Sequence, residues 1–367
     1  MRVPMYVLER EYLQNREAYL SLFDEVCRSA QFADGSFVRR FEEAFGAYLG
    51  GRRVSAVNSG TDALFLALKA FGIGPGDEVI VPSATFTATA AAVCMTGATP
   101  VFADCEPDTW ELDPAQVRLL LTSGTKAVLG VHLYGNLFDT AALKKLTEDA
   151  GIPLIEDCAQ ASGAEENGVK AGCFGDAACF SFYPTKNLGA FGEGGAVASP
   201  LPEIVETINS LKKHARTPEG DHTVPGYNMR MDGIQGAVLT QKLGTLEPFV
   251  RRKNEIADRY LAALNGNPLL VPQKTRPGVR HAYHLFVLKT DDRSRFRRYM
   301  EERGIETGVP YPVPCHLQTV FAAYLPRTGA LPVTEALFSR CVSIPSHPLL
   351  TDAEILYVSE ALAGYRG

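Results

Sequence analysis

No apolar run in this 367-residue chain approaches the ~20 residues that a helix needs to cross a bilayer, so no membrane span is expected. The opening stretch, MRVPMYVLEREYLQNRE, is charged throughout and lacks a continuous apolar core. It does not read as a signal peptide, and the expected location is cytoplasmic. The eight cysteines, at positions 27, 94, 105, 158, 173, 179, 315 and 341, form no CxxC pair and no repeated spacing, which argues against a zinc site or a disulfide framework. Most read as small core residues, as Cys158 and Cys179 do inside apolar runs. The net charge of −6 is spread along the chain, and the basic residues form no patch interleaved with aromatics. Nucleic acid is therefore not an expected partner. GxGxxG turns, Walker patterns, internal repeats and low-complexity tracts are all missing.

What is present has the composition of a globular protein, with 46% hydrophobic and 21% charged residues. The length exceeds what one core supports, so a large domain over residues 1–245 and a smaller one over 246–367 are expected. Near the N-terminus, Leu20, Phe23 and Cys27 fall at helical intervals, and so do Phe37, Phe41 and Phe45. These predict two helices on the outside of a larger body. Strand-like runs at 54–57, 78–82, 100–104, 127–133, 154–157 and 178–182 are then interleaved with helix-like stretches at 87–95, 114–122 and 140–150. That rhythm predicts an α/β fold with a mainly parallel sheet covered on both faces. A helix-like segment, IVETINSLKKHA, and the polar loop RTPEGDHTVPG follow. A long helix from near Asp232, interrupted around Gly244 or Pro248, leads into a compact α+β lobe that ends with the helix DAEILYVSEALAG.

In mainly parallel sheets ligands bind beyond the carboxyl ends of the strands, and the candidate residues fall there. The segment Phe180–Gly195, FSFYPTKNLGAFGEGG, is an extended run stopped by Pro184, with Lys186 just beyond. Lys186 is either a solvated loop lysine or an amine that forms a Schiff base with a carbonyl, which requires a partly buried setting. Asn58, Ser59, Gly60 and Thr61 precede an apolar helix, so this is either an ordinary cap or a phosphate-binding helix start. Asp157 closes the run PLIED as a helix cap or as a partner for a protonated ring nitrogen, with Gln160 able to add a neutral hydrogen bond from the same turn. Phe86 follows the run VIVP.

Six phrases in order, NSGTDAL, GDEVIVPSATFTAT, VHLYGN, IEDCAQASGA, FSFYPTKNLGAFGEGGA and YNMRMDGIQGAVL, resemble the DegT/DnrJ/EryC1/StrS family of sugar aminotransferases over nearly the whole chain. The resemblance implies the fold-type I aminotransferase architecture, with a seven-stranded mainly parallel sheet and a smaller C-terminal α+β domain. It implies pyridoxal 5'-phosphate as cofactor, and no metal. Lys186 then matches the Schiff-base lysine, and Asp157 the partner of the pyridinium nitrogen. Phe86 matches the residue stacked on the ring and Gln160 one near its hydroxyl side. Gly60, Thr61, Asp62 and Ser181 match phosphate contacts, and Asn228 one supplied by the neighbouring subunit, so a homodimer with shared active sites is implied.

The implied reaction moves an amino group from an amino acid, L-glutamate in most of the family, to a nucleotide-linked ketosugar. Lys186 argues against the dehydratases of the family, which carry histidine at that position. Tyr183 and the element His316-Leu317-Gln318 resemble members acting on TDP-3-keto-6-deoxyhexoses, with Tyr183 and His316 as expected sugar contacts. Thr185 and the GEGG wording depart from the commonest form of that subgroup. A 4-keto sugar or an aminocyclitol is the alternative substrate. Two other classes stand beside these readings. A dinucleotide-dependent oxidoreductase requires a Gly-rich turn where this chain has NSGTD, and a non-catalytic regulator of the same fold is expected to lose Lys186 or Asp157, both of which are present.

Overall fold

A computed structural model describes residues 1–324 and 328–367. Its centre is a seven-stranded sheet of β1 (Arg53–Val57), β2 (Glu78–Pro82), β3 (Thr99–Ala103), β4 (Thr125–Val131), β5 (Leu154–Asp157), β6 (Ala177–Ser181) and β7 (Gly195–Ser199). The strand order is β1-β7-β6-β5-β4-β2-β3, with every pair from β6 to β3 parallel and β7 antiparallel to both neighbours. The strands are apolar on both faces because helices cover both faces. They include α2 (Ser36–Tyr48), α3 (Gly60–Ala70), α4 (Thr87–Thr96), α5 (Pro114–Leu120), α6 (Thr140–Ala150) and α7 (Pro202–Leu211). β7 escapes a reading by periodicity because GAVAS holds small residues and is buried throughout, so it neither alternates nor carries a bulky β-former. Its glycine has a steric reason: a Cβ on Gly195 would lie 2.2 Å from the Ser59 carbonyl oxygen.

One expectation, the interruption of the long helix, needs correction, and two further features lie outside the sequence reading. The stripe Leu20, Phe23 and Cys27 of α1 (Leu8–Ser29) faces outward, whereas Glu11, Tyr19 and Val26 face the protein. Glu11 tolerates this position because its carboxylate pairs with Lys242 at 2.8 Å. The long helix α8 (Gly233–Leu264) runs unbroken through Gly244 and Pro248. Both residues are exposed, so the carbonyl that loses its amide partner is open to water, while Leu246, Val250 and Ile256 hold the inner face. Val3 and Val7 lie in the core of the C-terminal lobe, with Ile256, Tyr260, Phe286 and Ile344.

That lobe contains the antiparallel sheet β8 (Val271–Pro272), β9 (Phe286–Lys289) and β10 (Cys341–Ile344), with α9 (Arg293–Glu301), α10 (Pro332–Arg340) and α11 (Asp352–Gly364). Residue 245 falls inside α8, which contributes to the cores on both sides of that point. No helix among the described residues is long and apolar enough to cross a membrane.

Successive residues of β5 point to opposite faces, so Glu156 and Asp157 serve different ends. Glu156 is fully buried and accepts hydrogen bonds from the backbone N–H groups of Gly172, Phe174 and Gly175 at 2.9, 2.9 and 2.6 Å, and from His132 Nε2 at 2.9 Å. It fixes the turn that leads into β6. Glu156→Ala strands those buried donors and should reduce the unfolding free energy by about 3 kcal/mol or more. Denaturant titration checks this, and a loss of only a few tenths would mean that the turn holds itself.

Candidate active site

The carboxyl ends of the strands enclose a cavity of about 550 Å³. Asp157 ends β5 and Ser181 ends β6, with Asp157 opposite Cys179 in the register of the pair. Past Phe182 the chain turns at Pro184, where the Lys186 N–H donates to the Tyr183 carbonyl at 2.8 Å, and Lys186 lines the cavity. Phe86 is the extended N-cap residue of α4, directly beyond β2. Ser59 caps α3 by accepting the Asp62 N–H at 3.0 Å, which leaves the N–H groups of Gly60 and Thr61 at the positive end of the helix. Gly60 packs so closely on Ser181 that a Cβ there would lie 2.6 Å from the serine Cβ. Glycine is what lets the helix start and the hydroxyl share one wall.

Gly60, Thr61, Phe86, Asp157, Gln160, Ser181, Tyr183 and Lys186 are thus brought together; Asp62 and His316 are not, and Asn228, expected to serve the neighbouring subunit, lies elsewhere. The backbone amide of Asp62 is consumed by the Ser59 cap. Asn228 lines a separate cleft with Asn58, Arg230 and Asp232, and its Oδ1 accepts from Arg230 at 2.9 Å. His316 is buried outside the cavity, with Nδ1 2.6 Å from Ser83 Oγ and Nε2 3.3 Å from Glu335 Oε1. Its neighbours account for both ring nitrogens, so the expected sugar contact at His316 is withdrawn.

The sequence profile of the DegT/DnrJ/EryC1/StrS aminotransferase family matches residues 14–363. The chain belongs to this family. It is 38% identical over 367 residues to a protein of Geobacillus stearothermophilus named "Pleiotropic regulatory protein", covering 100% of this chain and 99% of that one. It is 40% identical over 361 residues to dTDP-3-amino-3,4,6-trideoxy-alpha-D-glucose transaminase of Streptomyces venezuelae, covering 98% and 95%. The crystal structure of S. venezuelae DesV in complex with a ketimine intermediate superposes with a TM-score of 0.96 at 40% identity, over 99% of this chain and 98% of that one.

In this aminotransferase Asp157 and Lys186, both on the cavity, act on each other. Burial raises the Asp157 carboxyl above its ordinary range, while the Ala159 N–H at 3.0 Å, the Thr89 hydroxyl at 2.8 Å and the charges of Lys186 and His132 oppose that rise. Burial lowers the Lys186 amine from 10.5 to about 8, against the attraction of Asp157. Gln160 is held on both sides, its Oε1 accepting the Tyr134 N–H at 2.9 Å and its Nε2 donating to the Tyr311 hydroxyl at 2.8 Å.

Sequence reasoning missed Tyr6, Thr89, His284 and Tyr311, all of which line the cavity. Burial and the charges of Lys186 and Lys253 push His284 well below its ordinary range, so its imidazole is neutral. Only Thr89 had a local signal, standing one helical turn after Phe86. The other three arrive from distant parts of the chain.

The neutral amine is the reactive form, so its fraction grows as pH rises through the value set by burial. In cofactor-free protein, trapping of a small aldehyde on Lys186 by borohydride, followed by mass spectrometry, should reach half its maximum near pH 8. Asp157→Asn removes the charge that retains the proton and should move the midpoint to lower pH. A wild-type midpoint near 10.5 would show a solvated amine instead.

Proposed function

We propose that this chain is a pyridoxal phosphate-dependent aminotransferase that moves an amino group from an amino acid, L-glutamate, to a nucleotide-linked ketosugar, a TDP-3-keto-6-deoxyhexose. The observation that carries this is the placement of Lys186 and Asp157 on one cavity whose far wall is the start of α3. The donor set suits the cofactor. Free helix N–H groups and the Ser181 hydroxyl match a phosphate, a buried carboxylate matches a protonated ring nitrogen, and an amine lowered to about 8 matches an aldehyde.

When bound, pyridoxal phosphate supplies an electron sink for the carbon that carries the amino group. Lys186 Nζ would hold the cofactor's aldehyde carbon and would serve as the base for the proton on the amino-bearing carbon. Asp157 keeps the ring nitrogen protonated. Phe86 would cover the ring face, Gln160 and Tyr311 form one hydrogen-bonded wall, and Gly60, Thr61 and Ser181 would hold the phosphate. Tyr183 and Tyr6 stand together at the sugar side, close enough that Tyr183 raises the cost of ionising Tyr6. A non-catalytic role leaves the lowered amine and its facing carboxylate without a purpose.

The reading includes a homodimer with shared sites acting in the cytoplasm, and two lobes meeting near residue 245. Two features support the dimer. Leu13, Leu20 and Phe23 of α1 are 60%, 45% and 57% exposed, and Asn228 lies in an open cleft that shares Glu193 with the catalytic cavity.

A panel of nucleotide-linked 3-keto and 4-keto sugars, assayed with glutamate, tests the substrate. Turnover should be highest with the TDP-3-keto sugar and lost in Lys186→Ala, and no turnover with any member would end the proposal. Shared sites are tested by mixing Lys186→Ala with Asn228→Ala. Each variant alone should be impaired, and the mixture should regain activity because one site of the hybrid dimer has both residues; additive residual rates would mean that each chain is self-sufficient.

A further inference from the structure

A carboxylate as buried as that of Asp157, which is 4% exposed, keeps a usable charge only when neighbours hold it. Its Oδ1 accepts the Ala159 N–H at 3.0 Å, and its Oδ2 accepts the Thr89 hydroxyl at 2.8 Å. The second donor is itself oriented. Thr89 Oγ1 lies 2.8 Å from Thr85 Oγ1, and since the one hydroxyl hydrogen of Thr89 goes to the carboxylate, Thr85 is the donor in that pair. The result is a directed chain from the turn after β2, through the first turn of α4, to the end of β5. Both threonines are buried, at 2% and 1% exposure, and both line the catalytic cavity. Packing alone would accept valine, which has the same shape, at position 89. The hydroxyl is explained by the carboxylate.

We propose that Thr89, oriented by Thr85, is a positioning residue that aims the Asp157 carboxylate into the cavity and preserves its charge. This rests on the reading of the site as a pyridoxal phosphate aminotransferase. The groups facing Asp157 are Lys186 from the turn after β6, His132 beyond β4, Cys158 beside it, Cys179 on β6 and Tyr311 from the C-terminal lobe. Lys186 and His132 attract the carboxylate, and the other three supply no positive charge to replace a lost hydroxyl.

The test compares Thr89→Val, Thr89→Ser and Thr85→Val with the wild type and with Asp157→Ala. The readouts are the equilibrium dissociation constant for pyridoxal phosphate across pH, measured by dialysis, and the acid limb of kcat. Loss of a hydrogen bond to a buried charge should weaken cofactor binding in Thr89→Val about 10- to 100-fold at neutral pH. The pH at which binding falls off should move up by about one unit or more. Thr89→Ser should restore both, and Thr85→Val should shift them less in the same direction. Wild-type affinity and pH dependence in Thr89→Val, with Asp157→Ala impaired, would overturn the proposal alone. A serine variant as impaired as the valine one would also overturn it, because the effect would then follow shape. Asp157→Ala binding the cofactor as the wild type does would overturn the underlying reading of the site.

Discussion

The structure turns on a buried carboxylate and a half-buried amine that line one cavity. Each is unfavourable in that setting, since desolvation pushes Asp157 toward its acid form and Lys186 toward its free base. Each also moderates the other. The amine, lowered to about 8, is partly neutral at neutral to slightly alkaline pH, and the hydrogen bonds and facing amine around the carboxylate favour its charged form. This balance depends on rigid placement, which the parallel register of β5 and β6 supplies. The backbone N–H of Ala159, the hydroxyl of Thr89 and the Glu156 anchor beneath the turn into β6 all serve that placement.

The opposite wall comes from the C-terminal lobe and is fastened by backbone interactions. Gly135 comes so close to residues 283 and 284 that a Cβ would lie 2.9 Å from both backbone nitrogens. The Ala282 N–H donates to the Gly135 carbonyl at 2.7 Å, and the Asn187 side chain donates to the Ala282 carbonyl at 2.8 Å. Lys253 completes the clamp from α8 by donating to the Tyr283 carbonyl at 2.9 Å. Burial lowers this lysine to about 7. The segment that brings His284 beside Lys186 is therefore tied to both lobes at once. The N-terminal residues do the same from the other direction, with Val3 in the small core and Tyr6 on the cavity.

Much of the site was legible because the α/β rhythm has a geometric consequence. Parallel strands between helices send every strand end to one edge, so Asp157, Ser181, Lys186, Phe86 and the start of α3 share a neighbourhood without any distance being known. The outward stripe on α1 shows where periodicity stops being informative. It identifies an apolar face and says nothing about what covers it. His316 shows a second limit, since a polar residue in a suggestive phrase can be fully satisfied by buried neighbours such as Ser83.

By itself the sequence determined the strand and helix alternation, because that follows from local spacing; it left Lys186, Asp157 and the start of α3 with two readings each, and the family resemblance chose between them. Tertiary structure alone decided which groups share the cavity from afar, namely Tyr6, His284 and Tyr311. It also decided how far Lys186 departs from an ordinary amine. Burial and charge are sums over neighbours distant in the chain, and no local pattern contains them.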